Sequence, residues 1–103
     1  MANSGVELIA AERRRQIEVE GWTPEHDAQH FSGELTEAAI CYANLSSALV
    51  RWPWKDVNAG CQHNWPWSPT WWKPSPVNIR NLVKAGALIA AEIDRLQRKT
   101  EAQ

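Results

Sequence analysis

The apolar positions of the first twenty residues recur at the spacing of an α-helix. They fall on one side of such a helix, together with one arginine: Val6, Ile9, Ala10, Arg13 and Ile17. Ser4 followed by Glu7 has the spacing of a capping box, in which each side chain accepts from the other residue's backbone amide. Gly21 can adopt the left-handed conformation that often follows a helix. The pattern therefore predicts a first helix over about 4–20.

A second apolar series predicts the helix that supplies most of the core. Its members follow one another at helical spacing: Leu35, Ala38, Ala39, Tyr42, Leu45 and Leu49. This series predicts a helix over about 33–49. Before it, Thr23 and Pro24 form a helix-start signal, because Thr caps well and Pro tolerates the first helical position. A short helical turn is therefore expected just after Thr23.

The last periodic segment predicts a helix over about 76–98, opened by Ser75 and Pro76. One stripe of this helix is expected to face the core: Leu82, Ala85, Ile89, Ile93 and Leu96. Gly86 and Ala90 are small enough to let another helix approach closely. The sequence as a whole predicts an all-α fold in a single domain covering residues 1–103, with three main helices and a short helical turn.

Between the second and the last predicted helix, periodicity disappears. Residues 51–74 hold six of the seven Trp and four of the six Pro, and they are called the Trp-rich loop from here on. Pro next to Trp blocks both helix and central strand. A long irregular segment in a small domain is often functional. We expect about half of its Trp side chains to pack on the helices and the remainder to form a binding face.

Charge and composition restrict the possible classes of function. Eleven Lys and Arg against twelve Asp and Glu give a net charge of -1, which argues against general nucleic-acid binding. No stretch is apolar for long enough to span a membrane, and no signal-peptide core is present. Two cysteines are too few for a disulfide scaffold. These observations predict a cytoplasmic protein that binds no membrane.

Two constellations have the residue types of a metal site. His26 and His30 are four residues apart and share one face of a helix, with Asp27 beside His26. Cys61 and His63 could complete a zinc site with either of them. Neither set has the spacing of a known metal motif, so the favoured interpretation is structural or ligand contact. No metal or other cofactor is therefore predicted, and zinc stays open as an alternative.

A third constellation is acidic. Its members lie on two helices: Glu34, Glu37, Glu92 and Asp94. Nucleotide pyrophosphohydrolases of the MazG type hold Mg²⁺ with carboxylates from two facing helices. The spacing here differs from theirs, and Glu92 and Asp94 lie on different faces of their helix. A solvated polar face is the favoured interpretation, so no catalytic residue is predicted.

Two blocks of sequence resemble a family of small accessory proteins encoded by tailed phages and prophages. The blocks are residues 12–27, which read ERRRQIEVEGWTPEHD, and residues 71–93, with WWKP at their start and LVKAGALIAAEI at their end. The resemblance covers about residues 6–98. This chain has Ala28 where the family usually has a second Asp, and Ile79-Arg80-Asn81 where Arg-Arg-Asp is usual.

The segment from Arg13 to Trp22 also resembles the start of the ryanodine-receptor-type repeat, whose phage relatives are associated with nucleotide-type ligands. The resemblance implies that this protein binds a nucleotide-like molecule. The expected contact residues are Arg14, Trp22, His26, Asp27, Trp72 and Lys73. In this hypothesis Trp stacks on the base, Arg and Lys meet phosphate, and Asp27 accepts from ribose hydroxyls.

The leading expectation is therefore a non-enzymatic phage or prophage accessory protein in the cytoplasm of the bacterial host. It is expected to bind a nucleotide-like small molecule without turning it over, or to sequester one that serves as a host defence signal. One alternative is a protein that inhibits a host immune complex through its Trp surface. A second alternative is a MazG-like hydrolase. The apolar surface exceeds what three short helices can cover, so a homodimer or a higher closed oligomer is expected, with Gly86 and Ala90 near a helix contact.

Overall fold

The computed structural model describes residues 3–54, 56–57 and 64–101. Within these residues, four α-helices follow one another: α1 (Gly5–Glu18), α2 (Pro24–Asp27), α3 (Glu34–Arg51) and α4 (Asn78–Glu101). A 3₁₀ turn, Pro69–Trp71, interrupts the Trp-rich loop. These described ranges contain no strand, and the prediction of an all-α fold is confirmed. No helix in them is long and apolar enough to cross a bilayer.

The predicted start signals of the first two helices are confirmed. Ser4 and Glu7 form both hydrogen bonds of a capping box at the start of α1. The Thr23 side chain accepts from the His26 amide, and Pro24 opens α2. Gly21 has a φ of 76°, the left-handed conformation expected of it, although α1 already ends at Glu18. These local signals fix where the chain enters each helix.

The core lies between α3 and α4, which run antiparallel. Asn78 Nδ2 donates to the Ser46 carbonyl (3.2 Å), and the Lys84 ammonium lies over the Tyr42 ring. The buried side chains of this interface come from both helices: Leu35, Ala38, Ala39, Tyr42, Ala85, Leu88 and Ala91. All six apolar positions predicted for the second helix are buried, so that prediction is confirmed.

The predicted core stripe of the last helix is wrong. Leu82, Ile89, Ile93 and Leu96 are about half exposed, and Ala85 alone of that stripe is buried. The physical reason is that α4 packs through its small residues, which let neighbouring helices come close. A Cβ added at Gly86 would lie 2.5 Å from Ile9 Cδ1, so α1 crosses α4 at this glycine. The close helix contact expected at Gly86 is therefore made within the chain.

The predicted apolar side of α1 is also wrong in its details. Val6 and Ala10 are exposed, whereas Glu12 and Gln16, which are not part of the predicted side, are buried together with Arg13, which is. The Glu12 carboxylate accepts from Arg80 Nη2 (2.5 Å), so α1 attaches to α4 through charges as well as through Ile9. Helical periodicity detects apolar stripes, and it cannot detect a buried side held by ion pairs.

The last helix begins two residues later than predicted. Ser75 and Pro76 shape a turn before it, in which Ser75 Oγ accepts from the Val77 amide. The buried Asn81 side chain holds this turn, since it both accepts from the Ser75 amide and donates to the Ser75 carbonyl, each at 2.8 Å. The turn fixes where the Trp-rich loop ends relative to α4.

Candidate functional site: an aromatic cavity beside a polar one

Seven aromatic and imidazole rings form one connected group, called the aromatic cluster. Its members are Trp22, His26, His30, Tyr42, Trp65, Trp67 and Trp72. Neighbouring ring centroids lie 4.8–6.2 Å apart. These are the separations at which aromatic pairs attract one another beyond simple burial. The cluster therefore joins α2, α3 and the Trp-rich loop into one surface.

An open cavity of about 300 Å³ lies at one edge of this cluster, and it is called the aromatic cavity. Its lining is almost entirely rings: Trp22, His26, His30, Trp67, Ser68 and Trp71. His26 stacks on Trp22 with the two ring planes within 2° of parallel. His30 packs edge-on against His26 and lies 5.1 Å from Trp67. The cavity thus presents flat ring surfaces and a few polar edges.

A buried ion pair holds one wall of the aromatic cavity in place. Arg13 Nη2 donates to Asp27 Oδ2 at 2.6 Å, and the Asp27 side chain is fully buried. Arg13 Nη1 also donates to the Trp22 carbonyl (3.3 Å). Asp27 Oδ1 lies 3.4 Å from His26 Nδ1. Arg13 and Asp27 together fix both rings of the stacked Trp22–His26 pair.

The structure places Asp27 behind the wall of the aromatic cavity and not in its lining. Its carboxylate has no exposed surface and is occupied by Arg13, so it does not offer an acceptor to a ligand hydroxyl. Trp72 also lies outside the lining of the aromatic cavity, because it packs between Tyr42 and Trp65. Neither side chain lines the aromatic cavity, and both support the side chains that do.

Three of the six Trp side chains of the loop pack on the helices and three are exposed. Trp65, Trp67 and Trp72 pack against the core, whereas Trp52, Trp54 and Trp71 are 46%, 80% and 50% exposed. The prediction that about half of the loop Trp serve packing is therefore confirmed. The indole Nε1 atoms of Trp67 and Trp72 are buried without a hydrogen-bond partner among the described residues.

A second, smaller cavity of about 40 Å³ lies next to the first and is called the polar cavity. Trp22 and Trp71 line both cavities. The charged side chains in the polar cavity are Glu12, Arg15, Glu20, Lys73 and Lys84. Three cations against two carboxylates leave this lining with one excess positive charge.

Most of these charges already have a partner in the chain. Arg15 donates to Glu12 (2.8 Å) and to Glu20 (2.9 Å). The Lys84 ammonium donates to the Lys73 carbonyl at 2.6 Å, and the Lys73 ammonium lies 5.8 Å from the centroid of the Trp71 ring. Lys73 is thus an exposed cation of the polar cavity that lies beside Trp71, a residue lining both cavities.

Burial and charge shift two of the pKa values at the polar cavity. Burial lowers the pKa of Lys84, and the positive charge of Arg80 lowers it further. Burial alone raises the pKa of Glu12, but hydrogen bonds and charges from Arg15 and Arg80 outweigh it, so this pKa lies below its ordinary value. Glu12 is therefore held as a carboxylate and Lys84 is partly desolvated.

Gln16 is the one residue of the polar cavity that is almost fully buried and still has an unused polar atom. Its Nε2 donates to Glu12 Oε2 (3.4 Å), and its Oε1 has no hydrogen-bond partner among the described residues. An acceptor left without a partner in a buried place costs free energy. Gln16 Oε1 therefore costs the fold free energy and, like the Asp27 carboxylate, presents no exposed acceptor to a ligand.

The other expected contacts have mixed outcomes. Trp22 and His26 line the aromatic cavity and Lys73 lines the polar one. Arg14 is exposed and lines neither. Sequence reasoning missed Trp67 and Trp71 as specific contacts, because nothing in an aperiodic loop distinguishes one Trp from the next. It missed Gln16 because a buried amide on a helix has no sequence signal.

The other constellations do not assemble in the described part of the chain. No three His, Cys, Asp or Glu side chains there are grouped so that they could hold a metal ion. Glu92 is paired with Arg95 (2.6 Å), and Glu34 accepts from the Ser32 amide and lies 3.6 Å from His30. The zinc alternative with Cys61 and His63 falls outside the described residues.

The chain matches no protein-family model, no curated protein and no solved structure. The function of the two cavities therefore has to be inferred from their geometry.

Proposed function

We propose that this protein binds a nucleotide-like small molecule and does not convert it chemically. The observation that carries the proposal is the aromatic cavity, in which the rings of Trp22, His26, Trp67 and Trp71 surround about 300 Å³ of open space. That volume is at the lower end of the range typical of small-molecule sites. Planar heterocycles are the ligands that such ring surfaces favour, because stacking is worth about 1–3 kcal/mol per base.

The polar cavity supports a nucleotide rather than a bare heterocycle. Because Trp22 and Trp71 line both cavities, a ring stacked in the aromatic cavity lies next to the polar one. There, the exposed side chain of Lys73 supplies a positive charge for a phosphate. The excess positive charge of this lining favours an anionic tail.

The side chains around the aromatic cavity favour binding over catalysis. Ser68 supplies the hydroxyl in its lining, and this group is 3.1 Å from Thr70 Oγ1 and caps the 3₁₀ turn. His26 is stacked on Trp22 and held by Asp27. These groups are occupied in positioning one another. The resemblance of residues 12–27 and 71–93 to phage accessory proteins extends the proposal to sequestration of a host defence signal in the host cytoplasm.

A homo-oligomer remains part of this proposal, since the described chain leaves an apolar face of α4 uncovered. The second candidate function, inhibition of a host protein, rests on Trp52 and Trp54. Both are exposed and lie near each other in sequence, as anchors of a protein interface often do.

Tryptophan fluorescence tests the proposal with a panel of adenine nucleotides, cyclic nucleotides and ADP-ribose. We expect saturable quenching by at least one member of the panel. Trp71→Ala removes a half-exposed wall of the aromatic cavity and should weaken binding at least tenfold. Trp54→Ala is the matched control, because Trp54 is 80% exposed and lines neither cavity.

The ligand is recovered after incubation and its mass is measured by mass spectrometry. We expect this mass to be unchanged, because the protein is proposed to bind the ligand without converting it. No quenching across the panel contradicts the proposal. Equal loss of binding in both variants contradicts the assignment to the aromatic cavity. A host protein retained by the wild type and lost on Trp54→Ala, with no nucleotide bound, favours the second candidate function.

A further inference from the structure

The lining of the aromatic cavity contains two imidazole rings, and each has one nitrogen beside a carboxylate. His26 Nδ1 lies 3.4 Å from Asp27 Oδ1, and His30 Nδ1 lies 3.6 Å from Glu34 Oε2. A neutral imidazole has a hydrogen on one nitrogen and a lone pair on the other, and the partner of one nitrogen decides between them. A lone pair facing a carboxylate is repelled, so both rings favour the hydrogen on Nδ1.

Both carboxylates are held in the charged form that this tautomer requires. Arg13 Nη2 donates to Asp27 Oδ2 at 2.6 Å, which makes Asp27 part of a buried ion pair. Burial alone raises the pKa of Glu34, but hydrogen bonds from its own amide and from the Ser32 amide outweigh burial, so this pKa lies below its ordinary value. Neither carboxylate therefore carries a hydrogen that it could donate to Nδ1.

The other ring nitrogen, Nε2, is left open in both histidines. Neither Nε2 has a hydrogen-bond partner among the described residues, and neither is enclosed as the unpartnered Trp67 Nε1 is. The Asp27 side chain is fully buried, so Nδ1 of His26 faces the interior, and Nε2, on the opposite side of the ring, faces outward. With its hydrogen on Nδ1, a neutral ring presents Nε2 as a hydrogen-bond acceptor.

The stack on Trp22 orients the acceptor of His26. The two ring planes lie within 2° of parallel, and their centroids are 6.1 Å apart, so His26 is offset and covers only part of the Trp22 face. A ligand ring that meets His26 edge to edge, in the plane of the imidazole, is therefore parallel to Trp22 as well. One flat ligand can thus donate to Nε2 in its own plane while it keeps the orientation that stacking on Trp22 needs.

We infer that the aromatic cavity selects heterocycles that carry an amino group, such as adenine, and that this group donates to His26 Nε2. The inference rests on the proposed function, because it concerns a ring stacked in the aromatic cavity. The amino group of a base offers N–H donors, whereas a ring carbonyl offers acceptors only. A carbonyl at the same position would turn its lone pairs toward that of Nε2 and be repelled. The acceptor of His30 in the same lining adds to this selection.

Two nucleotides that differ only in this amino group test the inference: adenosine monophosphate and purine riboside monophosphate. Quenching of tryptophan fluorescence is measured at about pH 8, where free imidazole, with a pKa of about 6.5, is neutral. We expect the wild type to bind adenosine monophosphate about three- to tenfold more tightly than its analogue, which is the size of effect that one neutral hydrogen bond has.

His26→Phe keeps a flat ring beside Trp22 and removes the acceptor. We expect this variant to lose the preference, so that the ratio of the two affinities falls to about one. A residue that only shapes the cavity would weaken both nucleotides alike and leave their ratio unchanged. Glu25→Gln is the matched control, because Glu25 is an exposed carboxylate on the same short helix and lines neither cavity. It should keep the wild-type ratio, and far-UV circular dichroism should be unchanged in both variants.

The possible failures of this inference and of the proposed function are separate. Equal affinity of the wild type for the two nucleotides overturns the inference and leaves the proposed function in place. A preference that persists in His26→Phe overturns the assignment to His26 Nε2. Quenching by neither nucleotide also overturns the inference, and quenching by no member of the wider panel contradicts the proposed function itself.

Discussion

The α3–α4 core and the aromatic cluster lie against each other, but different forces hold them. In the core, Ala38, Ala39 and Ala91 let two helices approach, and the packing is continuous along both. In the cluster, large rings meet at a few points, and a single ion pair between Arg13 and Asp27 fixes two of them. The core is therefore stabilised by many small contacts, and the shape of the aromatic cavity depends on a few polar ones.

This difference between core and cluster predicts that the aromatic cluster can become disordered while α3 and α4 remain helical. Asp27→Ala leaves the buried Arg13 charge without its partner, which typically costs about 3–5 kcal/mol. We expect near-UV circular dichroism, which reports on the Trp rings, to be lost at a lower urea concentration than the helical signal. Ligand binding at the aromatic cavity should be lost with it.

Glu25→Ala is the matched control for that variant, because Glu25 is an exposed carboxylate on the same short helix. It should change neither signal. Coincident loss of both signals in Asp27→Ala would show that cluster and core unfold as one unit.

The reverse experiment removes packing from the core. Leu35 is 1% exposed, so Leu35→Ala should lower the free energy of unfolding by about 2–5 kcal/mol. Near-UV and far-UV signals are expected to disappear together, because the cluster rests on this core. Urea titration followed by both signals makes the measurement. If the near-UV signal of Leu35→Ala were lost at a lower urea concentration than the far-UV signal, the aromatic cluster would not depend on this core in the way described.

The smallest expected effect is the pH dependence contributed by Glu12. Its carboxylate accepts from Arg15 and Arg80, which hold its pKa below the ordinary value despite burial. A carboxylate whose pKa is lower in the folded state than in the unfolded state stabilises the fold at pH values above its ordinary pKa of about 4. This stabilisation is lost as the pH falls below that value. Glu12→Gln should therefore be less stable than the wild type at pH 7, and the gap should narrow toward pH 3.

Urea unfolding at pH 7, 5 and 3 measures that gap. A gap that stays constant between pH 7 and pH 3 would contradict a stabilising role for the ionised Glu12.

The same contrast explains what the sequence could predict. The apolar residues from Leu35 to Leu49 form a single helical stripe, and this stripe packs on one neighbouring helix, α4. The buried face of α3 therefore follows from the spacing alone. On α4, apolar residues lie on every side, and spacing cannot say which side the chain itself covers. Leu82, Ile89 and Leu96 point outward there, whereas Leu88 packs in the core together with Ala85 and Ala91.

The candidate site was predictable in part. The signals around Trp22 and His26 are local, since Thr23 and Pro24 start a helix that carries His26 toward Trp22. The burial of Asp27 depends on Arg13, fourteen residues away, and local signals do not reveal such a pairing. In the Trp-rich loop, the division between packing and exposed Trp side chains depends on the fold of the whole loop.

The most direct test of the proposed ligand site is the set of seven indole N–H signals in a ¹H–¹⁵N spectrum, assigned with single Trp→Phe variants. The ligand identified by fluorescence quenching is titrated into the labelled wild type. Binding in the aromatic cavity predicts saturable shifts at Trp22, Trp67 and Trp71 and none at Trp54, which lines neither cavity. Shifts confined to Trp52 and Trp54, or no shift at any indole, would contradict it.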